Sequence, residues 1–436
     1  MTPPRRFEQD LPALLADLYL AGTPDYRDDI VRQTARVRQR PAWTFPERWL
    51  PMDLATNAVP GAPRIPWRIV AVLALLLVLV ATMLAFYVGT PQPLPAPFGP
   101  AANGSVVFSV DGDIYTADPV TGETTGIVVG PETDIQPVYS RDGTRVVFER
   151  KVEGEGDIRR GMLFVAGDDG RGLVQVTHEP LAGLGSWSFS PDGRSIVALA
   201  LRRTGTTIMV VASDGSGVPA FIDVEPRLHD EPPQYRPDGS EIMFQGIEPG
   251  AKTRGLYALD PATGDVRTII APSATADVGN AAWSPDGARI AYAVYDPGDD
   301  RVSLETHVMS ADGTGDIRVG THPDSFAEGG GGGWSNDGTR LIVNRFYAGA
   351  EGDIIQSAIV PADGSNAGID IECQAEAPRG CSADWVWSPD DAILIAAPPF
   401  AGDQPTTPLL ADPLTGQIRS ASWSANGNGS WERRAP

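Results

Sequence analysis

Hydrophobic residues follow three different patterns along the chain. From Ile69 to Val88, twenty consecutive residues carry no charge, and an α-helix of this length matches the hydrocarbon thickness of a membrane. Beyond residue 100, short apolar runs alternate with polar turns, as in β-strands. Before residue 65, apolar residues recur at helical spacing. The pattern predicts a helical segment at 1–64, one transmembrane helix at 65–89 and, after a proline-rich linker at 90–103, an all-β region at 104–430.

The arginines flanking the apolar stretch predict its orientation. Arg64 and Arg68 precede it, and no basic residue follows it before Arg141. Basic residues stay on the cytoplasmic side of a membrane. We therefore expect a single-pass protein of the bacterial cytoplasmic membrane, with its amino end in the cytoplasm and the β region outside. The use of arginine for all basic residues except Lys151 and Lys252 is typical of a GC-rich bacterial genome.

The spacing of apolar residues predicts two short amphipathic helices in the cytoplasmic segment. Phe7, Leu11 and Leu18 belong to the first stripe, and Thr23 caps a second helix that includes Tyr26 and Ile30. Such short helices bury little apolar surface by themselves. Residues 1–50 are therefore predicted either to bind a cytoplasmic protein or to serve as a tether beside the membrane.

The β region is an internal repeat. Each copy begins with an aromatic residue, continues with Ser-Pro-Asp-Gly or a close variant, and runs into an apolar stretch. The copies begin at Tyr139, Phe189, Tyr235, Trp283, Trp334, Trp387 and Trp423, at spacings of 50, 46, 48, 51, 53 and 36 residues. Seven copies at a nearly constant period indicate a repeat architecture.

The repeated motif has a direct structural interpretation. The aromatic residue ends an inner strand, the polar residues form a tight turn, and the apolar stretch is the next strand. The aspartates accept hydrogen bonds from the turn, so they are predicted to be structural: Asp142, Asp192, Asp238, Asp286 and Asp337. A third strand and a second turn follow in most copies. Four strands in about fifty residues make one blade of a β-propeller.

The repeats resemble those of TolB-like β-propellers, which are relatives of the WD-repeat proteins. The resemblance covers roughly residues 104–430, and it implies a propeller that binds protein partners or ligands. The shared motif is structural, so it assigns no functional residue. Seven motif copies favour seven blades, with six, as in the namesake family, as the alternative. We expect ring closure by pairing of Ser420–Trp423 with the blade begun by Val106–Val129.

Charge excludes one class of partner. The net charge is −22, and residues 1–68 hold ten basic and eight acidic residues, so the acidity lies in the remainder. A nucleic-acid binder needs a basic surface. The predicted partners are therefore a protein, peptide or envelope ligand on the propeller, with no nucleic acid.

The sequence offers no assembled catalytic chemistry. It contains no Gly-x-Ser-x-Gly motif, and its four histidines are scattered over different repeats: His178, His229, His307 and His322. No catalytic, metal-binding or cofactor-binding residue is assigned, and no cofactor is expected. We predict a binding or sensing module rather than an enzyme. The alternative is a hydrolase or lyase with its active site at the mouth of the propeller channel.

Loops that lead into the inner strands share one face of a propeller and are candidate binding loops. Their candidate residues are Asp230, Glu231, Asp277, Asn280, Asp324, Glu328 and Asp384. Their acidic character suits a cation or a basic partner. The glycines of Glu328–Gly333 would allow close approach of a ligand to the backbone, or form a loose loop.

The only two cysteines are Cys373 and Cys381, eight positions apart in the exported region. A disulfide between them is the prediction, and a reduced pair is the alternative. Two thiols without a nearby histidine make an incomplete metal site.

Overall fold

The structure is a computed structural model. It describes residues 99–152, 160–203, 205–229, 231–298, 304–322, 325, 327–348, 354–372, 380–381, 384–397 and 405–434. Every regular element in these ranges is a β-strand. No helix among the described residues is long and apolar enough to cross a membrane. The predicted segments at 1–64 and 65–89 lie outside the described residues.

Strands β1–β16 occupy the first half of the β region. They are β1 Ala102–Val110, β2 Asp113–Ala117, β3 Thr124–Val128, β4 Asp134–Tyr139, β5 Arg145–Val152, β6 Arg160–Gly167, β7 Val174–Gln175, β8 Leu181–Phe189, β9 Ser195–Arg202, β10 Gly205–Ala212, β11 Ala220–Ile222, β12 Arg227–Leu228, β13 Gln234–Tyr235, β14 Ile242–Ile247, β15 Gly255–Leu259 and β16 Val266–Ile270.

Strands β17–β30 occupy the second half. They are β17 Asp277–Trp283, β18 Arg289–Tyr295, β19 Leu304–Ser310, β20 Ile317–Val319, β21 Ala327–Trp334, β22 Arg340–Tyr347, β23 Ile354–Pro361, β24 Ile369–Asp370, β25 Gly380–Cys381, β26 Val386–Trp387, β27 Leu394–Ala396, β28 Leu409–Ala411, β29 Ile418–Ser420 and β30 Asn426–Arg434. The strands therefore reach slightly beyond the predicted limits of 104–430.

The strands form six hydrogen-bonded sheets, and neighbours within a sheet usually follow each other in the chain. A typical sheet has the order β17-β18-β19-β20. Its first strand, β17, corresponds to the inner strand of the predicted blade. One sheet contains eight strands because β6 pairs with β8. This arrangement follows from the repeat: each apolar run pairs with the run before it across a tight turn.

The sheet containing β1 combines both ends of the β region. Its order is β3-β2-β1-β30, and Val106 of β1 pairs with Trp431 of β30. The expectation that Ser420–Trp423 forms the closing strand was wrong. Ser420 ends the outer strand β29. Trp423 instead packs with Phe108 and Ile395 in an apolar cluster between two sheets. This position is favourable because it removes the large apolar ring from water.

Apolar clusters join each group of strands to the next. Val107 packs with Phe148 at one such interface, and Phe108 packs with Ile395 between β1 and the last sheet. Further clusters lie at the interfaces between them. Sheets packed face to face, with the last returning to the first, are the architecture of a β-propeller.

The Ser-x-Asp-Gly turns have one shared geometry. The Ser190 hydroxyl donates to Asp192 Oδ1 (2.6 Å) and accepts a hydrogen bond from the Ser195 amide (2.9 Å). Gly193 adopts φ 68°, a conformation that glycine tolerates best. The hydrogen bond from Ser190 is the main cause that lowers the pKa of the Asp192 carboxyl. The turn therefore holds a charged carboxylate at neutral pH.

The glycine run Glu328–Gly333 lies within strand β21 rather than in a loop. Gly329 pairs with Asn344 and Gly333 pairs with Ile342, so the residues between them bulge out of register. Similar register shifts occur in the inner strands β4 and β17, where Gln136 and Asn280 have positive φ angles. Extra residues of this kind re-aim side chains at the rim of a sheet.

Candidate functional site

One polar cluster gathers several of the candidate binding residues. It is called the Arg254 cluster and contains Glu231, Gln245, Arg254, Asp277, Asn280 and Tyr295. Asp277 is the first residue of β17 and pairs with Tyr295, the last residue of β18. Arg254 lies directly before β15. Because strands of one sheet alternate in direction, these positions meet at one end of two neighbouring sheets.

Arg254 is held between two carboxylates. Its Nη2 and Nε donate to Asp277 Oδ2 at 2.8 and 3.0 Å, and its Nη1 lies 3.2 Å from Glu231 Oε1. Only 14% of its side chain is exposed. Burial lowers the pKa of Arg254, but the hydrogen bonds and charge of Asp277 outweigh it, and the pKa lies above its ordinary value. The guanidinium is therefore permanently charged and fixed in direction.

Asn280, which is exposed, and Tyr295, which is half-buried, form the outer side of the cluster. Asn280 has φ 50°; its amide donates to Glu231 Oε2 (2.8 Å) and its Nδ2 donates to the Tyr295 hydroxyl (2.9 Å). The Arg254 guanidinium lies 5.0 Å from the centre of the Tyr295 ring. Burial and the charge of Glu231 raise the pKa of Tyr295. These contacts immobilise an asparagine, a tyrosine and an arginine on one surface.

The other candidate residues are not brought into this cluster by the described structure. Asp230 and Asp324 lie outside the described residues, as do the side chain of Glu328 and Cys373. Asp384 is exposed and precedes β26. Only the backbone of Cys381 is described, in β25 beside Gln356. The disulfide therefore stays a prediction.

Sequence reasoning missed Arg254, Gln245 and Tyr295. It considered only loops that lead into inner strands, whereas Tyr295 ends a second strand and Arg254 precedes a third strand. In an antiparallel sheet these positions lie at the same end as the start of the inner strand. Applying that rule to the repeat would have identified them.

His229 lies beside the cluster. Its amide donates to the carbonyl of Gln245 (3.0 Å), whose side chain in turn donates to Glu231. The Nδ1 atom of His229 is buried and makes no hydrogen bond to any described residue. His307, by contrast, lies on the third strand β19 between Asp316 and Glu305. In the described parts of the chain, no three His, Cys, Asp or Glu side chains are grouped to hold a metal.

The sequence matches no model of a known protein family and no curated protein. Solved structures are similar. An oligogalacturonate lyase from Vibrio parahaemolyticus is 14% identical and has a TM-score of 0.50, over 74% of this chain and 84% of the lyase. The shared feature is the fold.

Two further similar structures are more distant in shape. TolB from Acinetobacter baumannii has a TM-score of 0.43 at 14% identity, over 78% of this chain and 68% of TolB. The β-propeller domain of the trilobed protease from Pyrococcus furiosus has a TM-score of 0.46 at 12% identity, over 66% of this chain and 84% of that domain.

Proposed function

We propose that this chain is a membrane-anchored β-propeller that binds a protein, peptide or envelope ligand outside the cytoplasm. The observation that carries the proposal is the Arg254 cluster, in which Asn280 is exposed while Glu231 and Asp277 fix the Arg254–Tyr295 pair. Arginine and tyrosine dominate the energetics of protein interfaces when neighbouring groups hold them in place. Preorganised side chains also lose little conformational entropy on binding.

We further propose seven blades. In the eight-stranded sheet, strands β4–β7 and β8–β11 each carry one Ser-x-Asp-Gly turn. The two groups are joined by the pairs Arg160 with Ala182 and Gly161 with Leu181. This short ladder supports counting the sheet as two blades, which with the five other sheets makes seven.

Site-specific photocrosslinking in living cells tests the proposed binding face. A photoreactive amino acid at position 280 should give a discrete crosslinked product, whereas one at Val218, which is 89% exposed, should not. Arg254→Ala should reduce the product at least about tenfold, because truncating a central interface arginine costs more than 1.4 kcal/mol.

Arg171→Ala is the matched control, since Arg171 is 90% exposed and its ion pair with Asp169 spans 3.6 Å. It should leave the yield unchanged. A product at position 280 that persists in Arg254→Ala would rule out the Arg254 cluster as the binding determinant.

An enzymatic role is the second candidate, and His229 is the observation that favours it. Its buried Nδ1 makes no hydrogen bond to any described residue, and an imidazole nitrogen is the commonest general base in enzymes. The similar lyase acts on oligogalacturonate, an anion that a net charge of −22 would repel from this chain. Turnover of a neutral oligosaccharide that disappears in His229→Ala would replace the binding proposal with this one.

We also propose that the chain spans the membrane once, at 65–89, with its amino end in the cytoplasm. Arg64 and Arg68 before the apolar stretch support this orientation. Alkaline phosphatase fused after Pro436 should be active, because it folds only outside the cytoplasm, and a fusion ending within residues 1–60 should be inactive. The opposite activities would reverse the proposed topology.

A further inference from the structure

Arginines link consecutive repeats at the ends of the strands that carry the Ser-x-Asp-Gly turns. Arg289 lies 4.8 Å from the centre of the Trp334 ring in the next repeat, and its Nη2 donates to the carbonyl of Gly338 (2.5 Å). Arg145 has the same relation to Phe189 and Gly193. Each arginine therefore stacks on the aromatic residue that opens the next motif and caps a carbonyl of its turn.

Two other interfaces contain a related contact. Arg340 lies over the ring of Trp387 at 4.7 Å. Arg236, which replaces the serine of its own motif, lies 5.3 Å from the Trp283 ring and donates to the Gly287 carbonyl (3.1 Å). The guanidinium over an aromatic ring is thus a recurrent linker between repeats.

The interface between the repeats that begin at Phe189 and Tyr235 lacks this arginine. Ser195 occupies the position, since its amide donates to Ser190 Oγ as the Arg289 amide donates to Ser284 Oγ. No described residue donates a side-chain hydrogen bond to the Gly239 carbonyl. The neighbouring Arg194 does not substitute: its side chain is 87% exposed, with its Nε 3.9 Å from Asp192.

A cleft of about 600 Å³ is present where the guanidinium is missing. Its walls include Ser195 and Tyr235, together with Gly239 of the next turn. Its ionisable lining residues are Asp142, Asp192, Asp238, Arg141 and Tyr235. Asp192 lies 3.9 Å from Arg194, and Asp238 lies 3.5 Å from Arg236, so the Tyr235 ring and the Gly239 carbonyl, not a net charge, make the cleft suitable for a guanidinium.

We propose that this cleft binds the side chain of an arginine presented by a partner polypeptide. The bound guanidinium stacks on the Tyr235 ring and donates to the Gly239 carbonyl, as Arg145 and Arg289 do at their interfaces. Lysine fits less well, because its ammonium is compact and strongly hydrated and cannot stack. The volume of about 600 Å³ exceeds that of one guanidinium and leaves room for flanking backbone.

This site is separate from the Arg254 cluster. In a typical repeat, the cluster residue Asp277 begins an inner strand, and the turn after Trp283 follows at the opposite end of that strand. The cleft is formed by turns that follow inner strands, as the turn after Trp283 does. The proposal therefore does not rest on the function proposed for the Arg254 cluster.

Binding of two capped peptides to the detergent-purified full chain tests the proposal. The probes are acetyl-Gly-Arg-Gly-amide and acetyl-Gly-Lys-Gly-amide, measured by calorimetry. We expect the arginine peptide to bind at least about tenfold more tightly, in line with stacking and hydrogen bonding of a partly desolvated guanidinium. Equal affinities would contradict the proposal.

Ser195→Arg supplies the missing arginine from the chain itself. This variant should weaken binding of the arginine peptide at least tenfold and raise the unfolding temperature, because its guanidinium occupies the cleft. Ser216→Arg adds the same charge at an exposed serine and should change neither quantity. Unaltered peptide binding by a folded Ser195→Arg protein would exclude this cleft.

Tyr235→Leu provides a second variant if Ser195→Arg does not fold. It removes the stacking surface and keeps an apolar side chain, so the preference for arginine over lysine should disappear. A preference that survives in Tyr235→Leu would likewise exclude the proposed mode of binding.

Discussion

Deletion of residues 426–436 should abolish the cooperative unfolding transition of the β region. Strand β30 pairs with β1 along its length: Ala102 lies opposite Arg434 at one end, and Ser109 lies opposite Asn426 at the other. Loss of β30 leaves β1 without its inner neighbour. The Ser430 hydroxyl accepts a hydrogen bond from the Tyr139 amide (3.1 Å), so the contact to the next repeat also disappears. An exposed strand edge and two opened interfaces destabilise a ring that depends on closure.

Single substitutions distinguish the effect of losing ring closure from the effect of shortening the chain. Trp431→Ala, which removes a buried ring from the closing strand, should cost about 3–5 kcal/mol of unfolding free energy. Leu414→Ala is the control, because Leu414 is 79% exposed. Denaturant unfolding of the full chain in detergent measures both. Equal transitions for the deleted and complete chains would show that β30 does not hold the ring together.

The closing strand also shows where sequence reasoning reaches its limit. The regular repeats were recognisable because each turn needs the same polar atoms, such as Ser190 Oγ and the Asp192 carboxylate. At the closure Glu432 follows Trp431 as the serine follows the aromatic residue of the motif, and it accepts a hydrogen bond from the Ser105 amide (2.9 Å). This glutamate accepts an amide hydrogen bond, as the motif serine does, without resembling the motif, whereas Trp423-Ser424 resembles the motif but does not lie in the closing strand.

The candidate site was predictable to the extent that it depends on topology. Glu231, Asp277 and Asn280 follow from the rule that loops into inner strands meet at one end. The pairing of Asp277 with Arg254 could not be read from the chain, because it joins two neighbouring sheets across 23 positions. The same limit applies to the arginine-binding cleft. The sequence alone does not show that Ser195 stands where other repeats have an arginine that contacts the next repeat.

Arg345→Ala should destabilise the protein more than any exposed arginine variant. Arg345 is fully buried in β22. Its guanidinium pairs with Asp370 and donates to the carbonyls of Gly320 (3.1 Å) and Ala367. Asp370 also accepts a hydrogen bond from the Tyr347 hydroxyl (3.0 Å). Removing the guanidinium leaves two carbonyls without their donor and leaves Asp370 with the Tyr347 hydroxyl but without its ion-pair partner.

The expected cost is about 2–5 kcal/mol, because the carbonyls of Gly320 and Ala367 lose their donor, and each buried polar group left unpaired costs about 1–3 kcal/mol. That is a large fraction of the ~5–15 kcal/mol by which a domain is usually stable. Arg267→Ala is the matched control. Arg267 is 41% exposed and pairs with Glu241, and exposed ion pairs contribute at most about 1 kcal/mol. Denaturant unfolding gives both values, and similar losses would mean that the contacts of Arg345 contribute no more than an exposed ion pair.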